Sequence, residues 1–372
     1  MKYLLYFIVA FLPLSCTSQD TSGKVKLSIA PQVNRRENAP IITALESFLQ
    51  TKNDSPSANR YWLLSDFTKF VHPYEGIYNI EDSKFGRNFY QPSLMEITNT
   101  KDTGRKIVKV GFVGHNATTG ENIVKVIYNM VANIQGENVL FSSYIEHATR
   151  NWQVKKDGSI TYCISPTKEF NPQEAKRQQQ DIKTICDFFN CNTIPISYYS
   201  CIDPVEVFRI KGFDYNPMMY VSKTGGLAQP GNIIFSGNNS DYYTHEIVHL
   251  YVYNLFGEAP AFMNEGVATY FGGSGLHDFQ WHKSKLREYL KTNSADFIAL
   301  ANNPFERLYI DDETPLAYVA GAIICEKIIR EYGKEKLISL LSNKANLDIW
   351  NLLKQIGLTK QNLNSELLKS LQ

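Results

Sequence analysis

The stretch His245-Glu246-Ile247-Val248-His249 constrains this chain more than any other. On an α-helix, residues four apart rise about 6 Å and fall on nearly the same face. Two imidazoles so placed can share one metal ion at about 2.0–2.1 Å from each nitrogen, the distance zinc takes. Glu246 stands beside the first of them, placed to reach a water at the ion rather than the ion itself. Ile247, Val248, Leu250 and Val252 give such a helix apolar faces to bury, which would hold it rigid. The alternative is a helix whose histidines are ordinary surface or core groups.

The following segment argues against that alternative. A catalytic zinc keeps three protein ligands and one open position. Sixteen residues beyond His249 stands Glu265, within Phe262-Met263-Asn264-Glu265-Gly266-Val267-Ala268-Thr269-Tyr270. Gly257 follows Leu255-Phe256 as a helix end, and Pro260 suits a helix start. The turn between them is short enough to bring the second helix back antiparallel, so that Glu265 faces both histidines. Two His and one Glu form a standard catalytic zinc set.

HExxH followed by a helix bearing Asn-Glu-Gly-x-Ala resembles the gluzincin (peptidase MA-like) metallopeptidases. The phrase around Glu265 is similar to the aminopeptidase N and glycyl aminopeptidase families. The resemblance implies one Zn2+ held by His245, His249 and Glu265, with Glu246 as general base for the attack of zinc-bound water on a peptide bond. Leu316-Ala317-Tyr318-Val319-Ala320-Gly321-Ala322 is similar to the Tyr-x-x-Gly-Ala segment of those families, whose tyrosine stabilises the oxyanion. Tyr318 is the candidate for that role; its other reading is a tyrosine packed on a helix face. The glycine-rich run Gly225 to Asn232 corresponds to the edge strand that lines the cleft in these families, but it lacks the glutamate that binds a free α-amine there. The likeness spans roughly residues 171 to 345. It implies a thermolysin-like domain with a small edge sheet and a mostly helical zinc subdomain.

The chain has 372 residues with 38 basic and 37 acidic side chains, net +1, so no positive excess drives phosphate-backbone binding and nucleic acid is excluded as a first reading. Its start reads as an address. Lys2, the apolar run Tyr3 to Leu14 and the small Ser15 before Cys16 form a secretory leader whose end resembles a bacterial lipobox. The expectation is an exported protein, tied to the cell envelope by a lipid on Cys16; a plain secreted protein is the other reading. Export permits disulfides, and a pair among Cys186, Cys191 and Cys201 is compatible with their spacing.

The organisation expected is α+β. Residues 1–15 are the leader and 16–38 a tether. Residues 39–165 form a helix-plus-antiparallel-sheet domain, loosely similar in element order to cystatin-type domains, and 166–372 form the gluzincin domain. Apolar spacing predicts a helix over Ile41 to Gln50. Alternating runs predict strands at 107–113, 123–128 and 139–141, and a hairpin across Asp157-Gly158. Later come a helix over 171–189, a strand over 194–200, and strands at 218–221 and 232–236 flanking Thr224-Gly225-Gly226. Ser240 or Asp241 suits the N-cap of the HExxH helix. His277 and His282 read as surface histidines, and Asp181, Asp187 and Glu206 as solvated helix charges. No P-loop, dinucleotide fingerprint or serine-nucleophile elbow is present. The function expected is a zinc metallopeptidase acting on peptide or protein. The competing class is a non-catalytic envelope lipoprotein that binds a partner through its N-terminal domain.

Overall fold

Alternating apolar residues between Tyr90 and Ser142 become long strands in the computed structural model, which describes residues 25–306, 308–311, 313–343 and 347–371. The leader, Cys16 and the first part of the tether lie outside the described residues. The chain is mixed α+β and divides into two units, neither of them one continuous stretch. Among the described residues, one unit holds 25–152 and 204–223, the other 153–203 and 224–371.

In the first unit, β2 (Tyr90–Asn99), β3 (Arg105–Asn116), β4 (Glu121–Gln135) and β5 (Asn138–Ser142) form an antiparallel meander, with β1 (Ser28–Ile29) parallel to β2 at one edge. Period-two alternation puts Leu94, Val108, Val110, Phe112, Val126, Tyr128, Met130 and Phe141 into the core. Against them, α1 (Ala39–Thr51) buries Ile41, Leu45, Phe48 and Leu49. The Phe48 ring lies 5.2–5.7 Å from Trp62, Tyr74 and Phe141, so the helix is fixed by aromatic contacts as well as aliphatic ones. Short helices α2 (Leu64–Phe70) and α3 (Ile145–Thr149) complete this run. The later segment adds α5 (Pro204–Ile210) and β9 (Phe213–Tyr215); β9 pairs with β4, and Phe208, Phe213 and Met219 enter the same core.

The second unit carries a mixed five-stranded sheet in the order β10-β11-β8-β7-β6, with β6 (Gln153–Asp157), β7 (Ile160–Ile164), β8 (Ile196–Ser200), β10 (Gly226–Gln229) and β11 (Ile233–Ser236). Its long helix α4 (Pro172–Phe189) is followed, beyond the sheet, by an all-helical stretch. This comprises α6 (Thr244–Phe256), α7 (Ala261–Gly272), α8 (Phe279–Tyr289), α9 (Phe297–Asn302), α10 (Leu316–Tyr332), α11 (Lys334–Leu341), α12 (Ile349–Lys354) and α13 (Leu363–Leu371). α10 is the central post, with ten buried residues along its length. No helix among the described residues is long and apolar enough to cross a membrane.

Three expectations are corrected. The units part at 152/153, not at 166, because β7 pairs in parallel with β8 from Ile160↔Ile196 to Ile164↔Ser200 and carries its hairpin partner β6 with it. Residues 218–221 are not a strand: Pro217–Tyr220 is a single 3₁₀ turn, started by Asn216, whose side chain accepts the Met218 N–H at 3.0 Å. Gly226 is the first residue of β10 rather than part of a turn. The reversal into β11 falls at Pro230-Gly231-Asn232, where Gly231 and Asn232 take positive φ.

Candidate metal centre

The N-terminus of α6 is held by a neighbour, not by its own cap. Tyr243 occupies the N-cap position without a side-chain cap, and its N–H donates to Gln178 Oε1 of α4 at 2.7 Å. Gln178 Nε2 also donates to Thr244 Oγ1 at 2.8 Å. Ser240 and Asp241, the expected caps, are engaged elsewhere. Glu174 Oε2 accepts from Ser240 Oγ and from the Asp241 N–H, while Asp241 pairs with Lys168 at 2.9 Å and accepts the Asn171 N–H. Asp181 is not a solvated charge: it accepts from Tyr242 Oη and Thr244 Oγ1, both at 2.6 Å. Glu174, Gln178 and Asp181 share one face of α4 by their spacing, so that face acts as a jig for the first turn of α6.

Antiparallel α6 and α7 bring the two motifs together. His245 Nε2 lies 3.2 Å from Glu265 Oε2, and His249 Nε2 lies 3.6 Å from the same oxygen. His245, His249 and Glu265 are the one group among the described residues in which three histidine, cysteine or carboxylate ligand atoms all lie within 4.8 Å of one another. The outer ring nitrogens are committed. His245 Nδ1–H donates to the Gly273 carbonyl at 2.7 Å, and His249 Nδ1–H donates to Asn264 Oδ1 at 3.0 Å. Each bond orients its ring and turns Nε2 toward the shared centre, where a bound metal would take the lone pair in place of a proton. Burial opposes charge on His249, but the Glu265 carboxylate outweighs it and raises that imidazole to about 9 in the ion-free protein. Burial would likewise raise the Glu265 carboxyl, but the His249 charge and the histidine hydrogen bonds hold it well below the usual carboxylate range. The three groups therefore form one buried polar cluster of a kind that a divalent cation would satisfy. Two neutral imidazole nitrogens and a carboxylate oxygen fit zinc by donor type and number.

Two glycine contacts set this geometry. Where α7 crosses α10, a Cβ on Gly266 would lie 2.5 Å from the Gly321 carbonyl carbon, and one on Gly321 would lie 2.6 Å from the Phe262 carbonyl oxygen. The backbones thus meet directly, one residue after Glu265 and three after Tyr318. Tyr318 is thereby brought to the centre, its ring nearly parallel to that of His245 at 5.9 Å. Gly273, which ends α7 at φ 70, turns its carbonyl onto His245. An L side chain is strained at that φ.

Glu246 is not one of the three clustered ligand groups. Its Oε2 accepts the Ala228 N–H of β10 at 2.8 Å. Among the described residues β10 pairs with β11 alone, and backbone N–H groups alternate between the two sides of a strand. The bond from Ala228 therefore places the open edge of β10 beside the Glu246 carboxylate. Tyr243, two residues before His245, has its ring 6.5 Å from that imidazole and 28° from parallel to it.

His277 is bonded to Glu313 and stacked on Trp281. His282 is not a surface residue: it is wholly buried between the Ser274 carbonyl and Thr314 Oγ1. All five described cysteines are free thiols, so no pair among Cys186, Cys191 and Cys201 is bonded. Sequence reading did not single out Asn264, Gly273, Tyr243, Gln178 or the Ala228 N–H. Only Asn264 and Gly273 carried a signal, as an amide beside the third ligand and a glycine pair closing its helix. No protein-family model matches this sequence, and neither does any curated protein.

Proposed function

We propose that this chain is a zinc-dependent metallopeptidase of gluzincin type. The observation that carries the reading is the convergence of His245 Nε2, His249 Nε2 and the Glu265 carboxylate within 4.8 Å, with both outer nitrogens already committed to Gly273 and Asn264. Those three residues would hold the ion. A zinc ion there supplies Lewis acidity, polarising a carbonyl and making water acidic enough to ionise near neutral pH.

The protein's own groups do the rest. The Glu246 carboxylate takes the proton of the attacking water and passes it to the departing amine. The open edge of β10 receives an extended peptide by main-chain pairing and lays it beside Glu246. The run from Gly225 to Asn232 offers no carboxylate to a free α-amine, so this strand favours bonds inside a chain over removal of an N-terminal residue. The Tyr318 hydroxyl donates to the oxyanion that develops on the scissile carbonyl. Export through the leader and a lipid on Cys16 belong to the same reading and would put the activity in the cell envelope.

Cleavage profiling of a mixed peptide library tests this. Zinc-loaded wild type is expected to cut, and a chelator to stop it. Glu246→Gln is expected to lose at least about 10²-fold in rate while still binding one zinc with unchanged circular dichroism. A folded, zinc-loaded wild type that cuts nothing in the library would overturn the reading and favour a binding module.

A further inference from the structure

Helix α4 ends in an unusual pair. Asn190 takes the left-handed conformation (φ 52, ψ 53), and the Cys191 N–H donates to the Cys186 carbonyl at 3.0 Å. In this helix ending the residues at the first and sixth positions of the turn come into side-chain contact, a place ordinarily filled by two apolar groups. Here both are thiols. Cys186 is buried and bonds Tyr251 Oη of α6 at 3.5 Å, while Cys191 is partly exposed. Tyr251 Oη also accepts the Ile194 N–H at 3.3 Å, which pins the loop leading from the pair into β8.

We propose that Cys186 and Cys191 are a disulfide-forming pair, a built-in covalent closure for the end of α4. It stands whether or not the metal centre is catalytic. The oxidant is a small disulfide such as oxidised glutathione. The more accessible Cys191 attacks as thiolate, forms a mixed disulfide and releases one glutathione thiol. Cys186 then attacks the Cys191 sulfur, releasing the second. Two protein thiols lose two electrons and two protons, and one small disulfide becomes two small thiols. Burial and the neighbouring Cys186 raise the Cys191 thiol, which slows its attack at neutral pH.

The full chain, reduced and then equilibrated for a day in graded mixtures of reduced and oxidised glutathione, gives the test. Free thiols are alkylated and the protein is digested with chymotrypsin. Cleavage after Phe188 or Phe189 and after Tyr198 or Tyr199 separates Cys186, Cys191 and Cys201 onto three fragments. The expected result is a 186–191 cross-link, 2 Da lighter than the reduced sum, that reductant releases. A melting temperature higher by about 4–8 °C should accompany it, lost again in reductant and absent from Cys191→Ser. Recovery of both residues fully alkylated in the most oxidising mixture would overturn the proposal. So would Cys191 held only as its glutathione adduct, or either residue joined to Cys201 instead.

Discussion

Asn264 and Gly273 decide which nitrogen each imidazole offers. An imidazole without an outer acceptor samples both tautomers and rotates, and loss of such a partner typically costs 10–100-fold in metal affinity. Asn264→Ala is therefore expected to weaken zinc binding by about that factor, read by competition with a chromophoric chelator, with the far-ultraviolet spectrum unchanged. Equal affinity in the variant would show that His249 needs no outer partner. At this scale the convergence of His245, His249 and Glu265 was largely legible. The two histidines stand at the helix period, so local sequence states their relation, and Glu265 follows from the short turn that brings the next helix back. Asn264 and Gly273 act through one hydrogen bond each across a helix pair, and such a partner has no fixed offset from the histidine it serves. Asp181 and His282 were misread for a related reason, since a polar side chain looks the same in sequence whether water or a buried hydroxyl satisfies it.

Among elements, the crossing of α7 and α10 is the tightest constraint. Gly321→Ala forces a methyl against the Phe262 carbonyl, so the helices must part. Overpacking of this kind costs about 1–3 kcal/mol, and because Glu265 rides on α7, zinc affinity should fall with stability. The urea midpoint and a zinc titration of the same variant check both, and an unshifted midpoint would mean the crossing can slide. His282 ties the loop after α7 to the loop before α10 through Ser274 and Thr314. Burial holds its imidazole below its ordinary value. The unfolded chain then takes the proton first, so the stability from neutral His282 is complete above about pH 6.5 and drains as pH falls through the lower folded value. The melting-temperature gap between wild type and His282→Gln should be wide at pH 8 and close toward pH 5. A gap independent of pH would sink this account. Helices α1, α4, α6 and α7 were legible, because their apolar spacing or end residues are local. The strand expected at 218–221 failed because Met218 and Met219 look extended by composition, while Asn216 and Pro217 start a turn.

Taken whole, the chain forms two units, each built from two separate stretches of sequence, and only one holds the three-ligand cluster. Ligand bound to the native state alone adds stability as RT ln(1 + [L]/Kd), about 4 kcal/mol at a thousandfold excess over Kd. Calorimetry with and without zinc should show two transitions of which one moves. A common shift of both would mean the units melt as one. The α+β class and the presence of two parts were readable from patterning. Their boundary was not, because it is set by parallel pairing of β7 with β8 and by β9 joining β4, contacts between segments far apart in sequence. That interruption in sequence already matters during synthesis. Residues 25–152 emerge without β9 and without the Phe208, Phe213 and Met219 side chains that fill their core. At 5–20 residues per second the missing piece follows about 4–14 s later, after the other unit's first strands and α4 have already left the ribosome. Until β9 arrives, part of the β4 edge and of that core stands uncovered, so the first unit completes only after the second has begun.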